Sequence, residues 1–151
     1  MKKAVYAGSF DPFTNGHLYI YKQATDLFDK VYILLAKNPN KTRFTDIHKM
    51  QEMIKSAVSC SDVYITDGLV ADFCMQYEIN YLVRGVRNVC DYLYEHELAS
   101  ANQAISPGLK TVFFRAENDT VSSSLVRLLC EKNKDVSKYL PQGIELYRGE
   151  N

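Results

Sequence analysis

Five short apolar runs punctuate the chain: Ala4–Ala7, Val31–Ala36, Val63–Thr66, Tyr81–Val83 and Thr111–Phe114. Each is close to strand length, rich in β-branched and aromatic side chains, and largely free of polar alternation. That is the pattern of a strand covered on both faces. Between the runs, apolar residues recur at helical spacing. Ile20, Ala24, Leu27 and Phe28 share one face of the first intervening segment, and Ile47, Met50, Ile54 and Val58 share one face of the second. Leu69–Tyr77, Asp91–Ile105 and Ser123–Cys130 predict three more helices. Strand then helix, five times over, predicts an α/β fold: a parallel five-stranded sheet with helices on both faces and right-handed crossovers. No repeat or Pro/Gly/Ser linker divides the chain, so residues 1–151 read as a single domain. From Asp135 onward, Tyr139-Leu140-Pro141 and Ile144–Tyr147 predict short helical pieces.

Composition narrows the function classes. The chain has 151 residues, 46% hydrophobic, with 18 Lys+Arg against 18 Asp+Glu. Ordinary apolar content without net charge excludes intrinsic disorder. A balanced charge also argues against a general polyanion binder, so no nucleic-acid partner is expected and any anion site must be local. The apolar stretch after Met1-Lys2-Lys3 is too short for a leader, and no segment reaches the roughly 18 apolar residues a membrane span requires. Cys60, Cys74, Cys90 and Cys130 are isolated singles in apolar contexts, expected as core residues of a reduced, cytoplasmic protein. His17, His48 and His96 have no Cys at ligand spacing, so no structural zinc is expected.

In an open parallel sheet the ligand lies outside the carboxyl ends of the strands. The segments expected there are Gly8-Ser9-Phe10-Asp11-Pro12-Phe13-Thr14-Asn15-Gly16-His17, Lys37–Lys41, Arg84-Gly85-Val86-Arg87 and a polar loop ending in Ser122-Ser123-Ser124. Glycines, hydroxyls and cations thus collect on one edge, as phosphate handling requires. Thr14 or Asn15 is placed to cap the following helix, which puts His17 in its first turn among free N–H groups. An imidazole there can donate to a phosphate oxygen whose charge grows during reaction. The serine run reads by itself more readily as a helix cap, a use compatible with a phosphate site, and Glu95-His96-Glu97 reads by itself as a solvated helix face.

Thr14-Asn15-Gly16-His17, led in by Gly8-Ser9-Phe10-Asp11-Pro12, resembles the T/HxGH signature of the nucleotidylyltransferase superfamily. Arg84-Gly85-Val86-Arg87 is similar to its RGxR element, Asp91-Tyr92-Leu93-Tyr94-Glu95 to DxxYE, and Val121-Ser122-Ser123-Ser124 to I/VSSS. Together, over nearly the whole chain, they resemble the bacterial phosphopantetheine adenylyltransferase family. The resemblance implies a Rossmann-like, cytoplasmic enzyme of coenzyme A biosynthesis. It would transfer an adenylyl group from ATP to 4'-phosphopantetheine by direct in-line attack, giving dephospho-coenzyme A and pyrophosphate. Mg²⁺ as cofactor without a protein cage, a homohexamer, and coenzyme A as feedback ligand are implied as well.

By the same resemblance, His17 is the transition-state stabiliser, with Lys41 and Arg84 completing the catalytic set. ATP would be held by Ser9, Phe10, His17, Gly85, Val86, Arg87 and Glu95, and by the loop Asn118, Asp119, Thr120, Val121, Ser122, Ser123 and Ser124. Phosphopantetheine would meet Ser9, Lys41, Val70 and Arg84. Ser9 stands where Thr is more usual, Ala7 where Pro is common, and Asn118 where an aromatic residue is frequent. The alternative is another T/HxGH enzyme, such as a nicotinate mononucleotide adenylyltransferase. A non-catalytic nucleotide-sensing domain would use the same sheet edge but has no need of His17 at a helix start.

Overall fold

A computed structural model of the protein describes residues 1–146. Its strands are β1 (Lys3–Gly8), β2 (Lys30–Ala36), β3 (Val63–Thr66), β4 (Tyr81–Val86) and β5 (Lys110–Arg115). The helices are α1 (Asn15–Leu27), α2 (Ile47–Val58), α3 (Val70–Gln76), α4 (Val89–Ile105) and α5 (Ser123–Glu131), followed by a 3-10 turn at Ser137–Tyr139. The strands form one parallel sheet in the order β3-β2-β1-β4-β5, a Rossmann-like α/β arrangement.

The side chains of β1 and β2 alternate between two apolar layers, as a strand covered on both faces must. Ala4, Tyr6, Ile33 and Leu35 pack with Ile20 and Ala24 of α1 and with Met50 and Ile54 of α2. Val5, Ala7, Tyr32 and Leu34 turn the other way, onto Ala71, Phe73 and Cys74 of α3. α4 lies beside α3 and β4. Val126 and Cys130 of α5 meet Val136 in a third, smaller cluster.

The chain builds outward from β1 through β2 to β3, then crosses back to lay β4 on the other side of β1. That reversal splays the loops after β1 and β4 apart, and the crevice between them is where such sheets bind ligands. Gly85, in β4, packs closely against α1 there. A β-carbon at this position would stand 3.1 Å from Ile20 Cγ1 of α1.

Several expectations are corrected. Arg84, Gly85 and Val86 do not follow the fourth strand but form its last three residues, paired with Phe113, Phe114 and Arg115 of β5. Leu27 does not share the buried face of α1; it lies at the last turn, 63% exposed. Only two of the four cysteines are core residues: Cys74 and Cys130 are buried, whereas Cys90 is exposed and Cys60 half-buried. Of the segment expected as Ile144–Tyr147, residues 144–146 are not helical, and Tyr147 lies outside the described residues.

Candidate active site

A cavity of about 440 Å³ opens at the carboxyl ends of β1 and β4. Its size is in the range of small-molecule sites. Four pieces of chain enclose it: the turn after β1, the start of α1, the end of β4 with the facing side of α4, and the amino end of α5.

His17 is fixed by the cap of its own helix. Thr14 is the N-cap of α1, its Oγ1 accepting from His17 N–H at 3.4 Å, while Thr14 N–H donates to His17 Nδ1 at 2.9 Å. A backbone amide only donates, so Nδ1 is the unprotonated nitrogen and the ring proton sits on Nε2. Phe10 stands edge-on to the imidazole at 4.9 Å and Phe13 lies 5.4 Å away. Burial in this aromatic setting pushes the imidazolium down to about 3, helped by the positive charges of Arg84 and Arg87. His17 is therefore neutral near pH 7, with Nε2–H as its donor.

Arg84 enters from β4. Glu95 of α4 takes its guanidinium as a bidentate partner, with Nε to Oε2 at 2.7 Å and Nη2 to Oε1 at 2.6 Å, and Nη1 donates to the Ala7 carbonyl. Glu95 is the buried residue of α4, whereas His96 and Glu97 are exposed. The reading of this tripeptide as a solvated face is thus wrong for its first residue: the carboxylate stays inside because an arginine meets both oxygens. Arg87, just past β4, is more exposed and pairs with Asp91 at 2.9 Å.

The amino end of α5 forms the opposite wall. Ser122 is its N-cap, accepting from Leu125 N–H at 3.1 Å, so the serine run caps and lines the cavity at once. The positive end of the helix dipole and its unpaired N–H groups favour an anion there.

Of the expected residues, Ser9, Phe10, His17, Arg84, Gly85, Arg87, Glu95, Asn118, Val121, Ser122, Ser123 and Ser124 line this one cavity. Lys41, Val70, Val86, Asp119 and Thr120 do not. Lys41 is exposed in the loop after β2. Val70 packs beside the α3 layer on the other side of the sheet. Val86 faces a second, more apolar depression with Tyr92 and Phe113. Asp119 and Thr120 are exposed in a turn closed by Asn118 Oδ1, which accepts from Thr120 N–H and Oγ1–H at 2.9 and 2.7 Å.

The structure adds residues that the sequence reading did not select. Tyr6 and Arg127 line the cavity. The buried phenol of Tyr6 is pushed well above its usual range by desolvation and stays protonated. Asp11 is 7% exposed and accepts from Phe44 N–H and Thr45 N–H, both at 2.8 Å. These side chains serve tertiary contacts between distant segments, which no local spacing announces. Among the described residues, no group of three or more His, Cys, Asp or Glu could hold a metal ion, and no helix is long and apolar enough to cross a membrane.

The cytidylyltransferase-like family model matches residues 5–129. A phosphopantetheine adenylyltransferase of Bacteroides thetaiotaomicron is 37% identical, the match covering 97% of this chain and 99% of that protein. The enzyme of the same name from Streptococcus mutans is 39% identical over 93% of this chain and 88% of its own. The fold is shared with a putative nicotinate-nucleotide adenylyltransferase from Vibrio parahaemolyticus, at a TM-score of 0.67, 19% identity, and coverage of 93% of this chain and 88% of that one. The cavity at the sheet's reversal thus sits in a chain that belongs to the cytidylyltransferase-like family and, within it, to the phosphopantetheine adenylyltransferases.

Proposed function

We propose that the cavity catalyses reversible transfer of the adenylyl group of ATP to 4'-phosphopantetheine, giving dephospho-coenzyme A and pyrophosphate. The observation that carries this reading is the gathering of a neutral His17, Arg84, Arg87 and the amino end of α5 around one cavity in a chain of this family.

An oxygen of the acceptor phosphate bonds to the α-phosphorus while the bond from that phosphorus to the bridging oxygen breaks. The electron pair departs with pyrophosphate. Such a reaction needs alignment and charge stabilisation rather than a covalent intermediate. In our reading His17 Nε2–H donates to an α-phosphate oxygen, where the interaction strengthens as charge develops. Ser9 touches both reactants, Arg84 and Lys41 hold the acceptor phosphate, and Val70 meets the pantetheine arm. Phe10, Gly85, Val86, Arg87 and Asn118 to Ser124 serve the nucleotide, while Glu95, expected among them, acts by orienting Arg84. Val70 meets the ligand where the long pantetheine arm leaves the cavity, and Lys41 meets the acceptor phosphate by a turn of its exposed loop toward the cavity mouth.

Mg²⁺ fits this site as an ion carried by the ATP phosphates, because the cavity carboxylates Glu95 and Asp91 are already engaged by Arg84 and Arg87. Its chemistry would be to neutralise the pyrophosphate as it leaves. Coenzyme A contains both halves of the product, so competition in the same cavity accounts for feedback. We take the chain to self-associate as a homohexamer, for which Val89 and Leu93 of α4, exposed at 73% and 60%, are apolar side chains available to a partner. A cytoplasmic location agrees with the thiols of Cys60, Cys74 and Cys90, which form no disulfide.

The test is to supply ATP, Mg²⁺ and one acceptor at a time and to follow pyrophosphate. Release with phosphopantetheine is expected. Release with nicotinate mononucleotide alone would replace this reading by its alternative.

A further inference from the structure

Four successive carbonyls, from Ser9 to Pro12, are each held by a side chain from elsewhere in the chain. Arg43 Nη1 donates to Ser9 O at 2.6 Å and Nη2 to Phe10 O at 3.3 Å. Arg127 Nη1 donates to Asp11 O at 2.8 Å, and Ser123 Oγ to Pro12 O at 2.7 Å. Within this segment Phe10 adopts φ +47° with its ring buried. A bulky residue holds that left-handed conformation only where its surroundings over-determine it.

Arg43 is itself immobilised. Its Nε donates to Thr45 O at 3.2 Å, and its Nη2 donates to Thr45 Oγ1 at 3.2 Å and lies 3.6 Å from Asp11 Oδ1. Asp11 answers in the other direction, accepting from Phe44 N–H, Thr45 N–H and Thr45 Oγ1–H. The turn after β1 and the segment 43–45 are thus stitched reciprocally: an arginine grips carbonyls and a carboxylate grips amides. Arg43 does not line the cavity, so it acts there only through the turn.

We propose that Arg43 is a positioning residue for adenylyl transfer: by fixing the Ser9 and Phe10 carbonyls it sets where the Ser9 hydroxyl stands, and it ties that turn to the loop carrying Lys41. The inference rests on the catalytic reading above and deepens it. The planar fork is essential to the role, because one lysine nitrogen has neither the span nor the rigidity to hold both carbonyls and Thr45. Ser9 is at the solvent edge of the cavity, so water would satisfy its carbonyl without Arg43. The guanidinium supplies direction rather than mere saturation.

The experiment compares wild type with Arg43→Lys, Arg43→Met, Ser9→Ala and the double variant Arg43→Met/Ser9→Ala. It measures kcat and KM by pyrophosphate release at a temperature well below each melting midpoint. Arg43→Lys and Arg43→Met should lower kcat about tenfold or more, since small misplacements of reacting groups carry large kinetic costs. Ser9→Ala should cost distinctly less in the Arg43→Met background than in wild type, because a hydroxyl already out of place has little left to lose. A purely structural arginine would change the melting temperature and leave this coupling at zero. Arg43→Lys keeps the charge opposite Asp11 and carries the test should Arg43→Met fail to fold. Wild-type kcat in both Arg43 variants, or an equal Ser9→Ala factor in both backgrounds, overturns the proposal. Rates are read with whichever acceptor supports release in wild type. Failure of the catalytic reading, seen as release with nicotinate mononucleotide alone, is thereby distinct from failure of this one.

Discussion

Glu95 meets Arg84 with both carboxylate oxygens, at 2.7 and 2.6 Å, so a buried side chain of α4 aims a guanidinium that belongs to β4. The pair ties the helix to the sheet at the cavity. Glu95→Ala should destabilise the fold toward the lower end of the ~3–5 kcal/mol typical of a broken buried pair, because Arg84 is still 26% exposed. Glu95→Gln keeps the volume and one acceptor but frees the guanidinium to turn. If Glu95 acts through Arg84, Glu95→Gln should raise KM for phosphopantetheine more than it weakens acceptor-free ATP binding. The opposite pattern would make Glu95 a direct nucleotide contact.

His17→Ala removes a donor oriented by the Thr14 amide. It should lower kcat by ~10²–10³, about 3–4 kcal/mol, with a much smaller change in ATP affinity. An alanine variant keeping more than half of the wild-type kcat would reduce the imidazole to part of the helix cap.

The same histidine gives stability a pH dependence of known sign. Its folded-state value, about 3, lies below the 6.5 of the unfolded chain. The fold therefore favours the neutral ring. Its contribution is fully present above pH 6.5 and is lost as pH falls from there toward 3, where the unfolded state binds a proton that the native state refuses. Denaturant unfolding at pH 7, 6, 5 and 4 should show wild type losing more stability than His17→Gln across that series, approaching one proton's slope. Parallel curves would mean that the imidazole titrates normally in the fold.

The proposed reaction divides the cations by reactant. Lys41→Ala and Arg84→Ala should raise KM for phosphopantetheine and lower kcat, each by about ten- to a hundredfold, while acceptor-free ATP binding stays within a few-fold. Arg87→Ala should weaken ATP and spare the acceptor. Arg84→Lys should still suffer, since it keeps the charge and loses the fork that Glu95 orients. Equal loss of ATP affinity in all three alanine variants would merge them into one nucleotide-phosphate cluster.

The architecture was legible because each buried strand is a nearly unbroken apolar run and the inner faces of α1 and α2 repeat at helical spacing. The end of β4 was not, because Arg84 and Gly85 are poor local candidates for a strand and only the pairing with β5 makes them one. Spacing narrowed the cap to Thr14 or Asn15 and put His17 in the first turn, since a cap and its third helical residue are neighbours in sequence, and the structure settles it on Thr14. Glu95 was misjudged as a solvated side chain until its partner across the helix–strand gap was seen. Arg43 offered no signal at all: its targets lie 33 and 34 positions away, and a cation between Thr42 and Phe44 reads as loop.

Three arginines near the cavity carry resident carboxylates: Arg84 with Glu95, Arg87 with Asp91, and Arg43 with Asp11. Arg127, which also lines the cavity, is held instead by the Asp11 carbonyl and Ser124 Oγ, so the unliganded protein presents little unengaged positive charge there. A lone inorganic phosphate approaching Arg84 or Arg87 meets a guanidinium already half neutralised and must share it, so it gains little over water. In the proposed reaction a nucleotide triphosphate would engage Arg87, the α5 amides and the Nε2–H of His17 together, and several weak exchanges would then add along one tethered molecule. Selectivity against the abundant small anions of a cell follows from this internal pairing, because the site rewards ligands that reach many donors at once over those that merely carry charge.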